Sequence, residues 1–223
     1  MEPDERTLVS GLARILGPLV KYYRVTESHA ALNLAIQIKE RLLQDAYPED
    51  GSYDLTAHGA HTHSTTCVMA SLAQLAELTK DMALLGRVRA FYDSGLRSFS
   101  DQLGWVIENS SDDQEEGRLD RGEINNTGDI VETALILGQF GHTEYFEDAE
   151  RILRSHLLPS QLRDTGFIEE PDNPDGLDGR TNVAQRHQGA FGFPAPYGHC
   201  LLYTSPSPRD GLLAGMPAWA GKK

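Results

Sequence analysis

Three histidines, His58, His61 and His63, stand in a His-x-x-His-x-His arrangement. Imidazoles so spaced can ligate a metal ion or, as neutral rings, exchange hydrogen bonds with sugar hydroxyls. They can equally cap a helix or meet solvent. His61 and His63 are expected to contact substrate, and no metal ligands are expected among these histidines. Further along, Glu123 and Asp129 flank Asn125 and Asn126. Glycoside hydrolysis uses two carboxylates roughly 5–10 Å apart, one with a raised pKa, and the start of a helix can provide that separation. The structural alternative is that acids stabilise a helix N-terminus while Asn or Thr caps it. Glu123 is expected to be a catalytic or metal-binding carboxylate. Asp129 is the second catalytic carboxylate, although a position in the first helical turn would suit a structural role. Asn125 and Asn126 are expected to touch substrate. Trp105 and Tyr53 offer aromatic faces that stack on sugar rings, and core packing accounts for them equally.

Other reactive side chains carry less. Cys67 reads as a buried, small apolar residue and His156 as structural, while Glu169, Glu170 and His187 fall in a segment without periodicity. No phosphate-binding glycine loop, Ser-His-Asp arrangement or nucleotide fingerprint is visible, so no cofactor is assigned.

The elements that must position these groups are helical. Leu8, Leu12, Leu16, Leu19 and Tyr23 recur at helical spacing, and after a turn near Thr26 so do Ala31, Leu34, Ala35, Ile38 and Leu42. Val68, Leu72, Leu75 and Thr79 lead to a turn at Lys80-Asp81, with Asp81 the expected N-cap, and then to Leu85, Val88, Tyr92 and Leu96. Ile130, Ala134 and Leu137 precede a turn at Gly141-His142-Thr143, followed by Phe146, Ala149, Leu153 and Leu157, with Pro159 ending the run. Turns spaced roughly 55–60 residues apart indicate a helical-hairpin repeat.

The two helices of each later hairpin differ in charge. Residues 64–79 hold only Glu77, whereas the following helix holds Arg87, Arg89, Asp93 and Arg97. Residues 124–141 hold only Asp129 and Glu132, against Glu144, Glu147, Asp148, Glu150, Arg151 and Arg154 in the partner. A helix apolar on most sides is buried and a one-sided helix faces water. The fold class is therefore all-α, with helical hairpins forming part of an incomplete (α/α) toroid or barrel; an open solenoid is the alternative. If the inner helices run parallel, loops 47–63 and 103–126 lie at the same end, which brings the histidines towards Glu123.

A formal net charge of −13 repels phosphate backbones, so neither nucleic acid nor an anionic membrane is an expected partner. The densest acidic group, Asp112, Asp113, Glu115 and Glu116, reads as a solvated loop. Two cysteines, Cys67 and Cys200, cannot build a disulfide framework. The first residues lack the basic and apolar regions of a signal peptide, and no apolar run approaches the ~20 residues that span a bilayer. The expectation is a soluble chain, cytoplasmic by default. Residues 1–199 are expected to form a partial barrel domain that ends in a long Gly-, Pro-, Asn- and Asp-rich stretch. Residues 200–223, from Cys200 through Trp219, resemble translated sequencing-adapter read-through and are expected to be a non-native tail.

Three segments carry a family resemblance, covering roughly residues 10–160. His61-Thr-His-Ser-Thr-Thr-Cys-Val-Met-Ala to Asp81 resembles the loop and inner helix of the β-L-arabinofuranosidase family of glycoside hydrolases. Glu123-Ile-Asn-Asn-Thr-Gly-Asp to Leu137 sits where that family begins its next inner helix, and Tyr145 to Leu158 is similar to its following outer helix. The resemblance implies an (α/α)6 barrel acting on a glycoside. It also implies a cysteine nucleophile held by zinc with further cysteines and a glutamate. Glu123 matches that glutamate, but Asn125 stands where a cysteine is expected, so the zinc–thiolate chemistry is not carried over. The expected function is a glycoside-hydrolase-like protein acting on or binding a saccharide. The alternatives are a non-catalytic helical-repeat interaction protein, or a polysaccharide lyase or sugar isomerase on the same fold using a His or Tyr base. An enzyme requires His61, His63 and Glu123 to converge, whereas a scaffold leaves them apart.

Overall fold

Helical periodicity becomes three hairpins in the computed structural model, which describes residues 7–110, 121–191 and 195–196. The first pairs α1 (Leu16–Thr26) with α2 (His29–Asp45). After a one-turn α3 (Leu55–His58), the second pairs α4 (Thr62–Thr79) with α5 (Met82–Asp93). The third pairs α6 (Ile124–Gln139) with α7 (Glu144–Ile152). α7 continues through a wider turn at Leu153–Leu157, and a short α8 (Val183–His187) follows. Two-residue strands, β1 (Arg121–Gly122) and β2 (Ala195–Pro196), pair antiparallel. The expected tail from Cys200 and the acidic group at 112–116 lie outside the described residues.

The turns form where the sequence breaks its periodicity. Glu27 and Lys80 adopt left-handed conformations, with φ of 56° and 58°, and each donates its N–H to the last turn of the helix before it. Gly141 takes φ 99° at the third turn, at no Cβ cost. The Asp81 carboxylate accepts from Leu84 N at 2.9 Å and caps α5 as expected.

Layering follows the charge asymmetry. α4 lies between α1 and α6, and α2, α5 and α7 each cover one of these three from outside. α4 buries an unbroken run from Val68 to Ala76, whereas α5 buries only Leu84, Leu85, Val88, Phe91 and Tyr92. Each fully buried Leu contributes about 1.5–3 kcal/mol through the hydrophobic effect, and Leu72 and Leu75 of α4 meet such burial, as do Leu84 and Leu85 of α5. α1 is the least covered inner helix: Leu16 and Val20 are buried, while Tyr22 and Val25 are exposed. Among the described residues, no helix is long and apolar enough to cross a membrane.

The loop before α4 is locked rather than loose. Gly51 has φ 68°, and a Cβ there would meet Ala90 O at 2.1 Å, so the loop backbone lies directly against α5. This seats an aromatic cluster in which His58 stacks on Phe91, with ring centroids 5.3 Å apart, between Tyr47 and Tyr53. His58 is fully buried. Its Nδ1 lies 2.9 Å from Asp54 O and so carries the proton, leaving Nε2 as a buried acceptor. Tyr53 packs on His58 and Phe99, and its hydroxyl bonds Ser110 Oγ at 2.6 Å.

The stretch after Pro159 forms a small second core of Leu162, Ile168 and Val183. Glu170 accepts from Val183 N and Ala184 N and thereby begins α8, while His187 Nδ1 lies 2.6 Å from Val183 O. Both residues serve the fold. Through β2 the chain returns to β1, next to Glu123.

Burial lowers the His58 pKa from its ordinary 6.5. The folded protein then holds the neutral ring, while the unfolded chain takes up a proton near 6.5, so this stability is present above 6.5 and lost as pH falls below it. His58→Phe should make thermal melts less acid-sensitive. Its Tm should change less between pH 7.5 and 5.5 than that of the parent, and an equal change would exclude His58 as the cause.

Candidate functional site

Two inner helices, α4 and α6, begin side by side, and their first residues form one rim. His61 occupies the N-cap position of α4 and Glu123 that of α6. Neither side chain caps its own helix; both point to the rim. His61 Nε2 lies 3.6 Å from Glu123 Oε2 and His63 Nδ1 lies 3.4 Å from Glu123 Oε1. On its other edge, His63 Nε2 lies 3.6 Å from Asp129 Oδ2, so one imidazole stands between two carboxylates. Glu123 is 6% exposed, whereas the side chains of His61 and His63 are 32% and 21% exposed. The carboxylate is therefore the floor of the site and the imidazoles its wall.

A buried polar network beneath the rim fixes these positions. Thr66, on α4, places its hydroxyl 2.8 Å from Asn126 Oδ1 and 2.9 Å from Asp129 Oδ2, both on α6. Asn126 Nδ2 donates to Glu123 O at 3.1 Å. His61 Nδ1 lies 2.8 Å from Ser64 Oγ. A third strand-like segment ties the two helix starts together. His61 bridges Asn109, Ile107 bridges Gly122, and Thr62 donates to Ile107 O at 2.5 Å. Gly104 anchors that segment with φ 81°, where a Cβ would meet Ile152 Cγ2 at 2.4 Å and where Thr127 Oγ1 donates to Gly104 O.

The expected site residues divide accordingly. His61, His63, Glu123 and Asp129 come together. Asn125 is exposed beside them and donates to Glu123 Oε1 at 3.3 Å. Trp105 is half-buried in the bridging segment, its backbone closing a turn with Asp101. Asn126 is wholly buried with both ends of its amide engaged, which corrects the expected substrate contact to a positioning role. Tyr53 is likewise corrected, because its ring and hydroxyl are taken up by the aromatic cluster and Ser110. His58 belongs to that cluster and not to the rim. Sequence reading missed Ser64 and Thr66. Their signal is a run of small polar residues, Ser64-Thr65-Thr66, in a helix that is otherwise buried and apolar.

Asp129 is the electrostatic outlier. Desolvation pushes its carboxyl up to about 7, with Glu132 and Glu123 adding repulsion, while Thr66 and Lys21 oppose the shift. Below that pH the neutral Asp129 O–H can donate to Thr66, freeing the Thr66 proton for Asn126. Burial also raises the pKa of Cys67. It is the one free cysteine among the described residues and sits on α4. A zinc–thiolate centre at Glu123 therefore does not fit: the neighbours of this carboxylate are imidazoles and an amide.

No protein-family model and no curated protein matches the chain. A crystal structure of D-mannose isomerase is similar over 73% of this chain and 45% of its own length, with TM-score 0.51 and 14% identity. Cellobiose 2-epimerase from Bacillus thermoamylovorans B4167 matches over 66% of this chain and 44% of its own, with TM-score 0.46 and 18% identity. This chain thus spans under half the length of either protein. The likeness to the isomerase extends to the helical-hairpin toroid fold and not to the arabinofuranosidase family.

Because the Asp129 pKa is raised from 3.8 to about 7, its contribution to stability is complete below pH 3.8 and lost as pH rises through 7. Asp129→Asn removes that loss. In chelator-treated protein the variant should gain roughly 2 kcal/mol relative to the parent between pH 5 and pH 8, read from denaturant melts. A gain that does not vary with pH would show that the carboxyl is ionised throughout.

Proposed function

We propose that the rim where α4 and α6 begin is a saccharide-acting site of an (α/α)-toroid enzyme. The observation that carries this reading is the convergence of His61 and His63 with Glu123 and Asp129, from segments far apart in the chain. A scaffold has no use for two imidazoles and two carboxylates held by a buried network, since each such group costs desolvation energy. The kinship of fold with a D-mannose isomerase supports a sugar as the substrate class. The partly exposed His61 and His63, with Asn125 at Glu123 between them, offer the polar groups that a pyranose or furanose requires.

Two chemistries are compatible with a sugar here. In hydrolysis, Asp129 would hold the proton for the leaving oxygen and Glu123 would act from the other side. An arabinofuranosidase-type version would need thiolates at Glu123, whose neighbours here are two imidazoles and an amide. Sugar isomerisation is the second reading, and a specific observation favours it. His63 fills the gap between the two carboxylates, where a hydrolase would seat the sugar, so the pair does not flank a scissile bond and a proton shift between adjacent carbons suits the rim better.

Saturation-transfer NMR with aldoses, ketoses and methyl glycosides tests the assignment. Binding to at least one class should weaken tenfold or more in Glu123→Gln and His63→Ala, provided that these variants melt like the parent. Deuterium uptake at the carbon next to the carbonyl in D2O would mark isomerisation, and release of a reducing end without it would mark hydrolysis. Sugar binding that survives both substitutions, or no binding to any class, would end the proposal.

A further inference from the structure

We propose that His61, His63 and Glu123 hold a divalent transition-metal cation at the rim, through two imidazole nitrogens and one carboxylate oxygen. One ligand atom from each of the three lies within 4.8 Å of the other two. Two ligands each about 2 Å from a tetrahedral zinc ion stand about 3.3 Å apart. His61 Nε2 lies 3.6 Å from Glu123 Oε2 and His63 Nδ1 lies 3.4 Å from Oε1, so each nitrogen stands near that spacing from one oxygen of the carboxylate. The widest separation must close by about 1.5 Å to reach it, which a rotation of either half-exposed ring supplies.

The far nitrogens give a second, independent argument. An imidazole bound to a metal carries its proton on the other nitrogen, where an outer partner fixes the tautomer and the ring plane. The far nitrogen of His61 is within hydrogen-bond distance of such a partner, and that of His63 stands at ion-pair distance from a carboxylate. His61 turns Nε2 to Glu123 and Nδ1 to Ser64 Oγ at 2.8 Å, and His63 turns Nδ1 to Glu123 and Nε2 to Asp129 at 3.6 Å. Simple charge pairing would explain one histidine beside Glu123. It does not explain two, each backed by an outer partner.

Two nitrogens and one oxygen suit Zn2+, Co2+ or Fe2+ better than Ca2+ or Mg2+, which prefer all-oxygen shells. Three protein ligands leave at least one position open, the pattern of catalytic rather than structural zinc. The half-exposed imidazoles put that position on the solvent side of Glu123, where a sugar hydroxyl or carbonyl oxygen would bind. A sugar oxygen at that position rests on the saccharide reading, whereas the cation site rests on the donor geometry alone. The resemblance-derived thiolate centre is replaced by a nitrogen–oxygen one at the same glutamate.

Titration of the purified chain with ZnCl2 by calorimetry, and with CoCl2 by visible absorption, tests the site. We expect one saturable Zn2+ per chain and the d–d bands of low-coordinate Co2+. His61→Ala, His63→Ala and Glu123→Gln should each weaken Zn2+ at least tenfold, and Asp129→Asn should do so within the 10–100-fold range of outer-shell changes. His29→Ala, an exposed histidine elsewhere, should leave it unchanged. Glu123→Gln preserves shape and hydrogen bonding, so it reports on ligation even if a histidine variant fails to fold. Absence of saturable Zn2+ uptake, or equal affinity in Glu123→Gln and whichever histidine variants fold, overturns the proposal. Sugar binding measured with and without EDTA separates the two claims. Sugar binding without a Zn2+ site removes the cation alone, and a Zn2+ site without sugar binding removes the saccharide reading alone.

Discussion

Thr66 and Asn126 meet in a place from which water is excluded, and that contact sets the register of α4 against α6. Both side chains are fully buried, so each must satisfy its polar atoms within the protein. Sliding or rotating one helix past the other would strand a hydroxyl and an amide in the core, at a cost of about 1–3 kcal/mol for each group. Apolar packing tolerates small shifts; a hydrogen bond of 2.8 Å between neighbouring helices does not. The positions of His61, His63, Glu123 and Asp129 all derive from that fixed register.

The same burial works in opposite directions at two places. In the aromatic cluster it lowers the pKa of His58 and makes acid destabilising; at Asp129 it raises the carboxyl to about 7 and makes base destabilising. One group belongs to the scaffold behind the rim and the other to the rim itself. The loop that seats His58 leads directly into His61, so the scaffold cluster and the site share a backbone.

Much of this was legible in the sequence. Turns at Thr26, Lys80 and Gly141, the Asp81 cap, and the contrast between sparsely and densely charged helices all follow from local chemistry. The meeting of the histidine segment with Glu123 followed from one topological step, the parallel run of alternate helices. What escaped depends on rotation and on distant contacts. Asn125 and Asn126 look interchangeable as letters, yet a helix turns about 100° per residue, so one faces the rim and the other the core. Tyr53 and His58 are drawn from the site by Phe91 and Phe99, which lie far along the chain. The bridging segment 105–110 is too short and irregular to announce itself.

Parallel inner helices have a further electrical consequence. Each helix carries roughly half a positive charge at its N-terminus, and two of those ends abut here. Glu123 lies at the start of one and faces the start of the other, so backbone dipoles partly offset the cost of keeping an anion under cover. The opposite pole, where α4 and α6 finish, has the reverse polarity and could not shelter a carboxylate in this way.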